Sequence, residues 1–219
     1  MIDASIVRAS REKLEDRRRQ LLKAATKVFA RKGYHATRIA DIASEAGVAY
    51  GLVYHYFKNK DEILGSLFED NWATLVRAMQ GLAAGQATFS QKLDTVVGFL
   101  IEAYRLVPDV VTVLVVEIAR SPMALDEKRM QGFRKGFQAL ADLLVEGQKT
   151  GEVRKGIDPL LTAYCLFGAM ETILTGFVLK SFPATDENLA RIRKQVVELF
   201  MRGVQSEAKE PREAKAKKA

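Results

Sequence analysis

The sequence predicts an all-α protein, and three observations support this prediction. Apolar residues recur at spacings of three and four along most of the 219 residues, which is the period of an amphipathic helix. The alternation of apolar and polar residues that marks a half-buried strand is weak, and no Asn-Gly or Asp-Gly hairpin turn is present. Glycine and proline punctuate the chain at intervals that suit the ends of about nine helices.

The chain begins with a long helix followed by a short one. The first helix is predicted over residues 11–31, with Gly33 as its C-cap. Thr37 is a good N-cap for a short second helix, and Gly47 interrupts the pattern after it. The apolar stripe of the first helix consists of Leu14, Leu21, Leu22, Ala25, Val28 and Phe29.

A third short helix is predicted over Tyr50–Tyr56, and a polar turn at 58–60 follows it. A fourth helix is expected over residues 61–82. Its first residues, Asp61 and Glu62, suit the positive end of a helix dipole.

Five more helices complete the prediction, over residues 89–106, 110–120, 125–149, 159–180 and 186–203. Pro108 and the Ser121-Pro122 pair separate the first three of them, and Gly151 closes the seventh helix. Asp158 and Pro159 form an N-cap followed by a first-turn proline, which opens the eighth helix.

The net charge of +7 comes entirely from residues 1–60, which contain 13 Lys/Arg against 6 Asp/Glu. Such an asymmetry indicates a phosphate-binding surface, because each phosphate contact needs a Lys or Arg. A solvated basic arm is the alternative, and it stays open for Arg8, Arg11 and Lys13. The arginines at 17–19 open the first helix and could reach a flanking nucleic-acid backbone.

Cysteine usage and hydropathy restrict the compartment. The single cysteine, Cys165, excludes an intrachain disulfide and is typical of a reducing compartment such as the cytoplasm. Residues 160–179 are long and apolar enough to span a bilayer, but Glu171 and several Thr and Gly residues interrupt them. We therefore expect a helix buried within the protein and no membrane span, with a membrane-associated helical protein as the alternative.

The composition gives no support for catalysis. His35 and His55 have no Cys or second His at ligand spacing, so no metal site is expected. No P-loop or dinucleotide fingerprint is present, so no cofactor and no catalytic residue are predicted.

The most informative segment runs from Gly33 to Leu64, GYHATRIADIASEAGVAYGLVYHYFKNKDEIL. It contains a helix, a glycine turn and a second short helix that is rich in aromatic residues. Tyr50 and Tyr54 cannot face the same core as Val53 and Phe57, because consecutive helical residues diverge by about 100°. An exposed short helix flanked by cations is what a helix-turn-helix needs to enter the major groove.

This segment resembles the N-terminal domain of the TetR family of bacterial transcriptional regulators. The hallmarks are Ala25, Phe29, Gly33, Thr37, Ile42-Ala43, Ala46-Gly47-Val48, Gly51, Tyr54, Tyr56-Phe57, Lys60 and Leu64. The resemblance implies a DNA-binding domain over residues 17–77 and a ligand-binding and dimerisation domain over 80–205. Residues 206–219 are expected to be a disordered charged tail.

The resemblance also implies residue roles. Base edges would be contacted by Tyr50, Gly51, Leu52 and His55. Phosphates would be held by Thr37, Arg38, Tyr54 and Lys60. Lys60 would act together with the free N–H groups that open the fourth helix. The chain departs from the family pattern at Ala49, where Ser or Thr is common, and at Leu52, which can touch a thymine methyl group but cannot hydrogen-bond.

For the second domain, the resemblance implies a homodimer that binds a near-palindromic, double-stranded DNA operator. The eighth helix is apolar nearly all round, which agrees with dimerisation through the last two helices. The ninth helix carries an apolar stripe made of Leu189, Ile192, Val196, Leu199 and Phe200.

Candidate effector contacts are large aromatic residues of the predicted helices 4–8 and charged residues that interrupt apolar segments. They are Trp72, Phe99, Tyr104, Glu117, Arg120, Tyr164 and Phe167. Glu117 and Arg120 are three residues apart, so they either pair with each other or anchor an effector.

The whole-chain pattern is similar to a narrower branch of the family, the fatty-acid-degradation regulators that respond to long-chain acyl-CoA. An acyl chain would suit an apolar tunnel that ends near basic residues. Arg105, Arg134 and Lys135 are either contacts for the head group or ordinary surface charges.

The function expected from the sequence is therefore a cytoplasmic, ligand-responsive DNA-binding repressor, with a small apolar effector such as a fatty acyl-CoA. The alternative is a small-molecule-binding helical enzyme with an incidental helix-turn-helix. Repression is the usual mode of the family, and the sequence does not separate it from activation.

Overall fold

The computed structural model describes residues 4–83, 85–118 and 127–205. These ranges are helical apart from turns and one isolated β-bridge between Val153 and Gln205, which confirms the all-α prediction. The expected disorder of residues 206–219 concerns a part of the chain outside the described ranges. The helices are α1 (Ala4–Lys32), α2 (Ile39–Ala46), α3 (Tyr50–Tyr56), α4 (Lys60–Ala83), α5 (Phe89–Leu106), α6 (Pro108–Thr112), α7 (Glu127–Thr150), α8 (Pro159–Val178) and α9 (Asp186–Val204).

Several helix boundaries agree with the capping signals in the sequence. Asp158 caps α8, and its carboxylate accepts a hydrogen bond from the backbone N–H of Leu161. Thr185 caps α9 in the same way. The second helix differs from the prediction, because its N-cap is Arg38 and not Thr37. α1 also begins earlier than predicted, at Ala4.

The sixth helix is not the single α-helix that the sequence predicts. α6 ends at Thr112, and Val113–Ile118 continues the chain as a π-helix, which we call the π segment. Val113 packs into the core around α1–α4, whereas Val111 and Val115 pack into the core of the other helices. The π segment therefore lies between two cores. The predicted end of this helix at residue 120 falls outside the described residues.

The two cores divide the molecule into a head and a body. The head core is built from α1, α2, α3 and the first half of α4, with Phe29, Ile42 and Phe57 nearly inaccessible to solvent. The body core is built from the second half of α4 and from α5–α9. α4 thus belongs to both. Leu14, predicted in the apolar stripe of α1, is instead 46% exposed, because α1 extends past the head core at this point.

Helix α8 is less buried than its composition predicts. Its buried face packs on α5 and α7, but a second face is open to solvent and carries Leu160, Leu161, Tyr164 and Cys165. It is the helix of the described ranges whose length and hydropathy would suit a membrane span. Most of the apolar stripe of α9, in contrast, is buried within the chain. Leu189, Ile192 and Val196 are buried in their own chain, where α9 packs on α5, whereas Leu199 is 69% exposed.

Candidate DNA-binding surface and effector cavity

Helix α3 presents two tyrosines to solvent. Tyr50 and Tyr54 are one helical turn apart and are 54% and 47% exposed. Their hydroxyl oxygens lie 3.0 Å apart, and their rings meet edge to face with centroids 5.3 Å apart. Val53 and Phe57 point into the head core, as the helical phase predicts. The two tyrosines therefore brace each other on the outer face of α3.

The rest of this outer face is accessible. A methyl group at Gly51 would meet no atom within 4 Å, so another molecule can approach the backbone there closely. His55 is exposed, and Leu52 is half-buried. The hydrogen bond with Tyr50 is the main cause that raises the pKa of Tyr54 above its ordinary value. A tyrosine hydroxyl is uncharged at neutral pH even at that ordinary value, so it can donate to an acceptor.

Thr37 is buried beside this surface in the structure, and its phosphate contact stays a prediction. Its side chain is only 2% exposed, and its hydroxyl donates to the carbonyl of Gly33 at 2.7 Å. Gly33 adopts a left-handed conformation with a φ of 78° at the end of α1. Thr37 therefore fixes the turn between α1 and α2.

Lys60 is engaged with the same turn. Its ammonium donates to the carbonyls of Tyr34 and Thr37 at 2.6 and 2.9 Å and lies 4.3 Å from the centroid of the Tyr34 ring. The Tyr34 hydroxyl donates to the carboxylate of Asp61, and burial together with this bond raises the pKa of Tyr34. In this conformation Lys60 joins the turn to the start of α4, and its ammonium is not free for a phosphate.

Two other cations flank α3 and are exposed, Arg38 at the start of α2 and Lys58 after α3. The backbone N–H of Arg38 donates to Asp41 at 2.8 Å. The ammonium of Lys32 donates to the same carboxylate at 2.7 Å and is the main cause that holds the pKa of Asp41 below its usual range. This capping arrangement leaves the Arg38 side chain on the surface, where it can meet a phosphate.

The body contains an apolar cavity of about 500 Å³ between α4, α5, the α6–π region, α7 and α8. This volume lies within the range of small-molecule sites. Four of the predicted effector residues line it: Trp72, Phe99, Tyr164 and Phe167. Residues that sequence reasoning missed also line it: Phe68, Asn71, Thr74 and Phe133.

Trp72 forms one wall of the cavity within a cluster of aromatic rings. Its indole N–H donates to the carbonyl of Gly132 at 2.7 Å, and its ring contacts Phe68 and Phe133 with centroids 5.5 and 4.8 Å apart. A Cβ at Gly136 would lie 2.5 Å from the indole, so this glycine makes the room that the ring occupies. Two glycines four residues apart on α7 are the sequence signal that could have located this wall.

Three predicted effector residues do not line the cavity within the described structure. Tyr104 stacks on Phe177 and donates to its carbonyl at 3.1 Å, so it belongs to the packing between α5 and α8. Glu117 faces the head, since one carboxylate oxygen would lie 3.5 Å from a Cβ at Gly33. Arg120 lies outside the described residues, so the predicted pairing with Glu117 stays a prediction.

Two of the three basic residues considered as head-group contacts are engaged in ion pairs elsewhere. Arg105 pairs with Glu102, and Arg134 pairs with Glu127. Lys135 is exposed on α7 and does not line the cavity.

Glu171 is the charged residue of the cavity wall. It is half-buried, and among the described residues its carboxylate has no hydrogen bond or ion pair. No Lys, Arg or His belongs to the described lining. The polar character of the cavity is therefore that of an acceptor: one carboxylate beside the side chains of Asn71 and Thr74.

Comparison with known proteins agrees with this division into head and body. A protein-family model described as bacterial regulatory proteins of the tetR family matches residues 21–67 of the chain. The model described as the C-terminal region of YsiA-like proteins matches residues 68–203. The fatty acid metabolism regulator protein of Bacillus subtilis is 31% identical over 186 residues, which cover 84% of this chain and 94% of that protein.

Two solved structures extend the similarity. The transcriptional regulator FadR from Bacillus subtilis, in complex with stearoyl-CoA, matches with a TM-score of 0.75 at 30% identity, over 85% of this chain and 98% of that one. The fatty acid degradation regulator FadR from Bacillus halodurans matches with a TM-score of 0.77 at 27% identity, over 87% and 97% of the two chains.

These matches cover both the head and the body, and they confirm the resemblance found in the Gly33–Leu64 segment. They leave no basis for the enzyme alternative, because the matching proteins are regulators of transcription. The chain belongs to the TetR family of ligand-responsive, DNA-binding bacterial regulators.

Proposed function

We propose that the chain is a cytoplasmic, dimeric repressor that a fatty acyl-CoA releases from its operator. The observation that carries this proposal is the apolar cavity, because residues of its wall also pack on the head core. The similar FadR of Bacillus subtilis, solved with stearoyl-CoA, supplies the chemical class of the effector.

For the DNA contacts, we assign base edges to Tyr50, Gly51, Leu52 and His55, of which Leu52 offers an apolar contact to a thymine methyl group. Arg38, Lys58 and the hydroxyl of Tyr54 would hold phosphates on either side. Thr37 and Lys60 position the turn that carries Arg38, and Lys60 adds positive charge beneath it.

The chemistry of the cavity favours a thioester over a free fatty acid. The carboxylate of a free acid would enter a wall whose charged group, Glu171, has the same sign, and no cation of the described lining would compensate. A CoA thioester is neutral at that point, and the amide N–H groups of its pantetheine arm can donate to Glu171. The strongly anionic end of CoA would then remain outside the cavity.

Release requires that the effector distinguish two conformations of the head. Phe68 and Leu114 line the cavity and also pack with the head core, together with Phe133. An acyl chain in the cavity would therefore displace side chains on which α4 and α1 rest. A change in the angle of the heads would alter the spacing of the two α3 helices and weaken the fit to the operator.

A second copy of the chain would cover the open face of α8. Leu161 is 64% exposed, and Gly168 on the same face has no atom within 4 Å of its Cβ position, so a partner helix can approach closely. Tyr164 and Leu199 add apolar surface beside it. Two-fold symmetry would then present two heads to a near-palindromic operator.

Ligand binding can be followed through Trp72, which is the single tryptophan and lines the cavity. We expect stearoyl-CoA to change its fluorescence at micromolar concentration or below, and stearate to bind at least about tenfold more weakly. Glu171→Gln should reduce the difference in affinity between stearoyl-CoA and stearate, because the variant no longer repels the carboxylate of stearate. Equal affinity for stearate and stearoyl-CoA in the unmodified protein would contradict the assignment of the effector class.

A further inference from the structure

We propose that the N-terminal part of α1 is a second DNA-contacting surface, which lies along the phosphate backbone beside the site contacted by α3. It comprises residues 8–19, and we call it the α1 extension. The proposal goes beyond the contacts assigned to α2, α3 and α4, and it rests on DNA binding by the head. The matched family model covers residues 21–67, so this surface lies before that match.

Charge is segregated around the α1 extension. The acidic residues lie on one side, where Glu12 pairs with Arg8 and Asp16 pairs with Arg19. The rest of the helix surface carries two rows of cations, Lys13 with Arg17 and Arg11 with Arg18, and we call these two rows together the cationic face. Glu15 lies one turn after Arg11, at the edge of this face. Lys13 and Arg17 are four residues apart and Arg11 and Arg18 are seven apart, which places each pair one above the other on the helix.

Most of the cationic face has no acidic partner within the described ranges. Arg18 pairs with Asp70 of α4 at 3.1 Å and lies over the ring of Phe57, so it belongs to the head. Arg17 donates only to the side-chain oxygen of Gln20, which is neutral. Arg11 and Lys13 make no hydrogen bond or ion pair there, and all residues from 11 to 16 are exposed. Three cations per chain are therefore available to an anionic partner.

The orientation of the cationic face points to DNA. Arg17 lies four residues before Leu21, and Arg18 lies seven before Ala25, so this face continues the one with which α1 covers the head core. At the point where α1 leaves the core, Gln20 donates to the carbonyl of Ala46, immediately before the turn into α3, at 2.8 Å. The α1 extension thus projects from the head beside this turn, and Arg18, at the base of the cationic face, lies over the ring of Phe57, the residue that ends α3.

The α1 extension has little packing of its own to keep it helical. Residues 11–16 are all exposed, so this stretch buries little surface against the rest of the head, and a solitary helix of this length is marginal in water. A row of phosphates would stabilise it, because it supplies the anions that the cationic face lacks. An acidic protein surface is the other chemistry that could do so. DNA is favoured because the domain from which the extension projects binds DNA.

The test compares the full-length protein with an R11A/K13A/R17A variant. Two DNA probes are used. One is a mixed-sequence 40-bp duplex, and the other is a fragment of the promoter of the protein's own gene, shortened in steps on both sides of the segment that the protein protects. The variant should lower the slope of log Kd against log salt by about 0.9 for each phosphate that it no longer binds, and by roughly 3–5 for the dimer. At 0.15 M salt its affinity should fall by about tenfold or more, and trimming the flanking base pairs should abolish this difference.

The matched control removes three exposed lysines from the body, Lys135, Lys149 and Lys155, and should leave the slope of log Kd against log salt unchanged.

A Y50A/Y54A variant should lose its preference for the promoter over mixed-sequence DNA but keep the contribution of the α1 extension to the salt dependence. The proposal is overturned if R11A/K13A/R17A binds both probes with the same slope as the unmodified protein; that result would leave an acidic protein partner or solvent for the cationic face. A protein that shows no preference for its promoter would instead contradict the proposed repressor function, and the mixed-sequence duplex would still report on the extension.

Discussion

At the scale of single residues, the carboxylate of Asp41 fixes the start of α2, the helix that precedes α3. It accepts from the ammonium of Lys32 and from the N–H of Arg38, and both bonds favour its charged form. Because the pKa of Asp41 in the folded state lies below its unfolded value, its contribution to stability is present above about pH 4 and is lost as the pH falls through the folded pKa.

Asp41→Asn is therefore expected to lower the urea midpoint of unfolding at pH 7, and the difference from the unmodified protein should shrink below about pH 4. Urea titrations followed by circular dichroism between pH 3 and pH 7 measure this. Asp142→Asn is a suitable control, since Asp142 bonds only a glutamine amide on the same helix within the described ranges. A difference for Asp41→Asn that grows towards low pH would contradict the assigned bonds.

Gly136 determines the position of Trp72. Gly136→Ala would place a methyl group 2.5 Å from the indole, so either the ring moves into the cavity or the core is strained by about 1–3 kcal/mol. We expect weaker binding of stearoyl-CoA with little change in DNA affinity, as measured by calorimetry and by anisotropy of labelled DNA.

Gly132→Ala on the same helix face is the matched control, because its methyl group would lie 3.7 Å from the indole, an ordinary contact. Equal effector affinities for the two variants would show that the indole does not limit the cavity.

The sequence does not predict which partners the polar groups of two candidate contacts use in the structure. Thr37 and Lys60 have the residue types of phosphate contacts, but the tertiary structure uses their polar groups on the carbonyls of Gly33, Tyr34 and Thr37. Those carbonyls become available only because α1 ends in a tight turn against α4. The competition between an internal acceptor and an external one cannot be inferred from residue type.

At the scale of elements, the π segment is where head and body meet. Val113 is 1% exposed and packs in the head core, whereas Val111 and Val115 on its other side line the cavity. The segment from Val110 to Val116 is apolar at every position except Thr112, so its pattern gives no helical period and does not predict the π form.

Val113→Ala removes two buried methyl groups and should cost about 2 kcal/mol of unfolding free energy. It should also reduce the factor by which stearoyl-CoA weakens operator binding, because the head rests less firmly on the wall of the cavity. Val97→Ala is the control, since Val97 is equally buried but belongs only to the body core and does not line the cavity. If both variants lose the same amount of effector response, the π segment has no special part in coupling.

Most elements could be predicted because their ends carry local signals. Pro108 and the Asp158-Pro159 pair mark the starts of α6 and α8, and Gly151 follows α7 with a φ of 83°. Which face of a helix is buried could not be predicted equally well. α8 is apolar nearly all round, so its composition gives no phase, and only packing on α5 and α7 decides that Leu161 is exposed.

At the scale of the whole molecule, the proposed dimer interface on the exposed face of α8 adjoins the cavity. Tyr164 and Gly168 line the cavity and are also exposed, so a partner on this face would adjoin the effector. Leu161→Glu should shift the protein towards the monomer, because it places a charge in the apolar contact. Analytical ultracentrifugation at micromolar concentration measures this, and operator affinity should fall with the loss of the second head.

Leu106→Glu is the matched control, since Leu106 lies on α5 and is exposed to the same extent, 63% against 64% for Leu161. A dimer that survives Leu161→Glu but not Leu106→Glu would place the interface at α5 and α9 instead.

The proposed regulation depends on one coupling: occupation of the body cavity lowers the affinity of the head for its operator. Fluorescence anisotropy of a labelled promoter fragment, titrated with the protein in the absence and presence of saturating stearoyl-CoA, measures this directly. We expect stearoyl-CoA to raise the Kd by about tenfold or more, which corresponds to a coupling free energy of about 1.4 kcal/mol, and stearate to have little effect. An operator affinity that is the same with and without stearoyl-CoA, in a protein whose Trp72 fluorescence shows that the ligand is bound, would rule this coupling out.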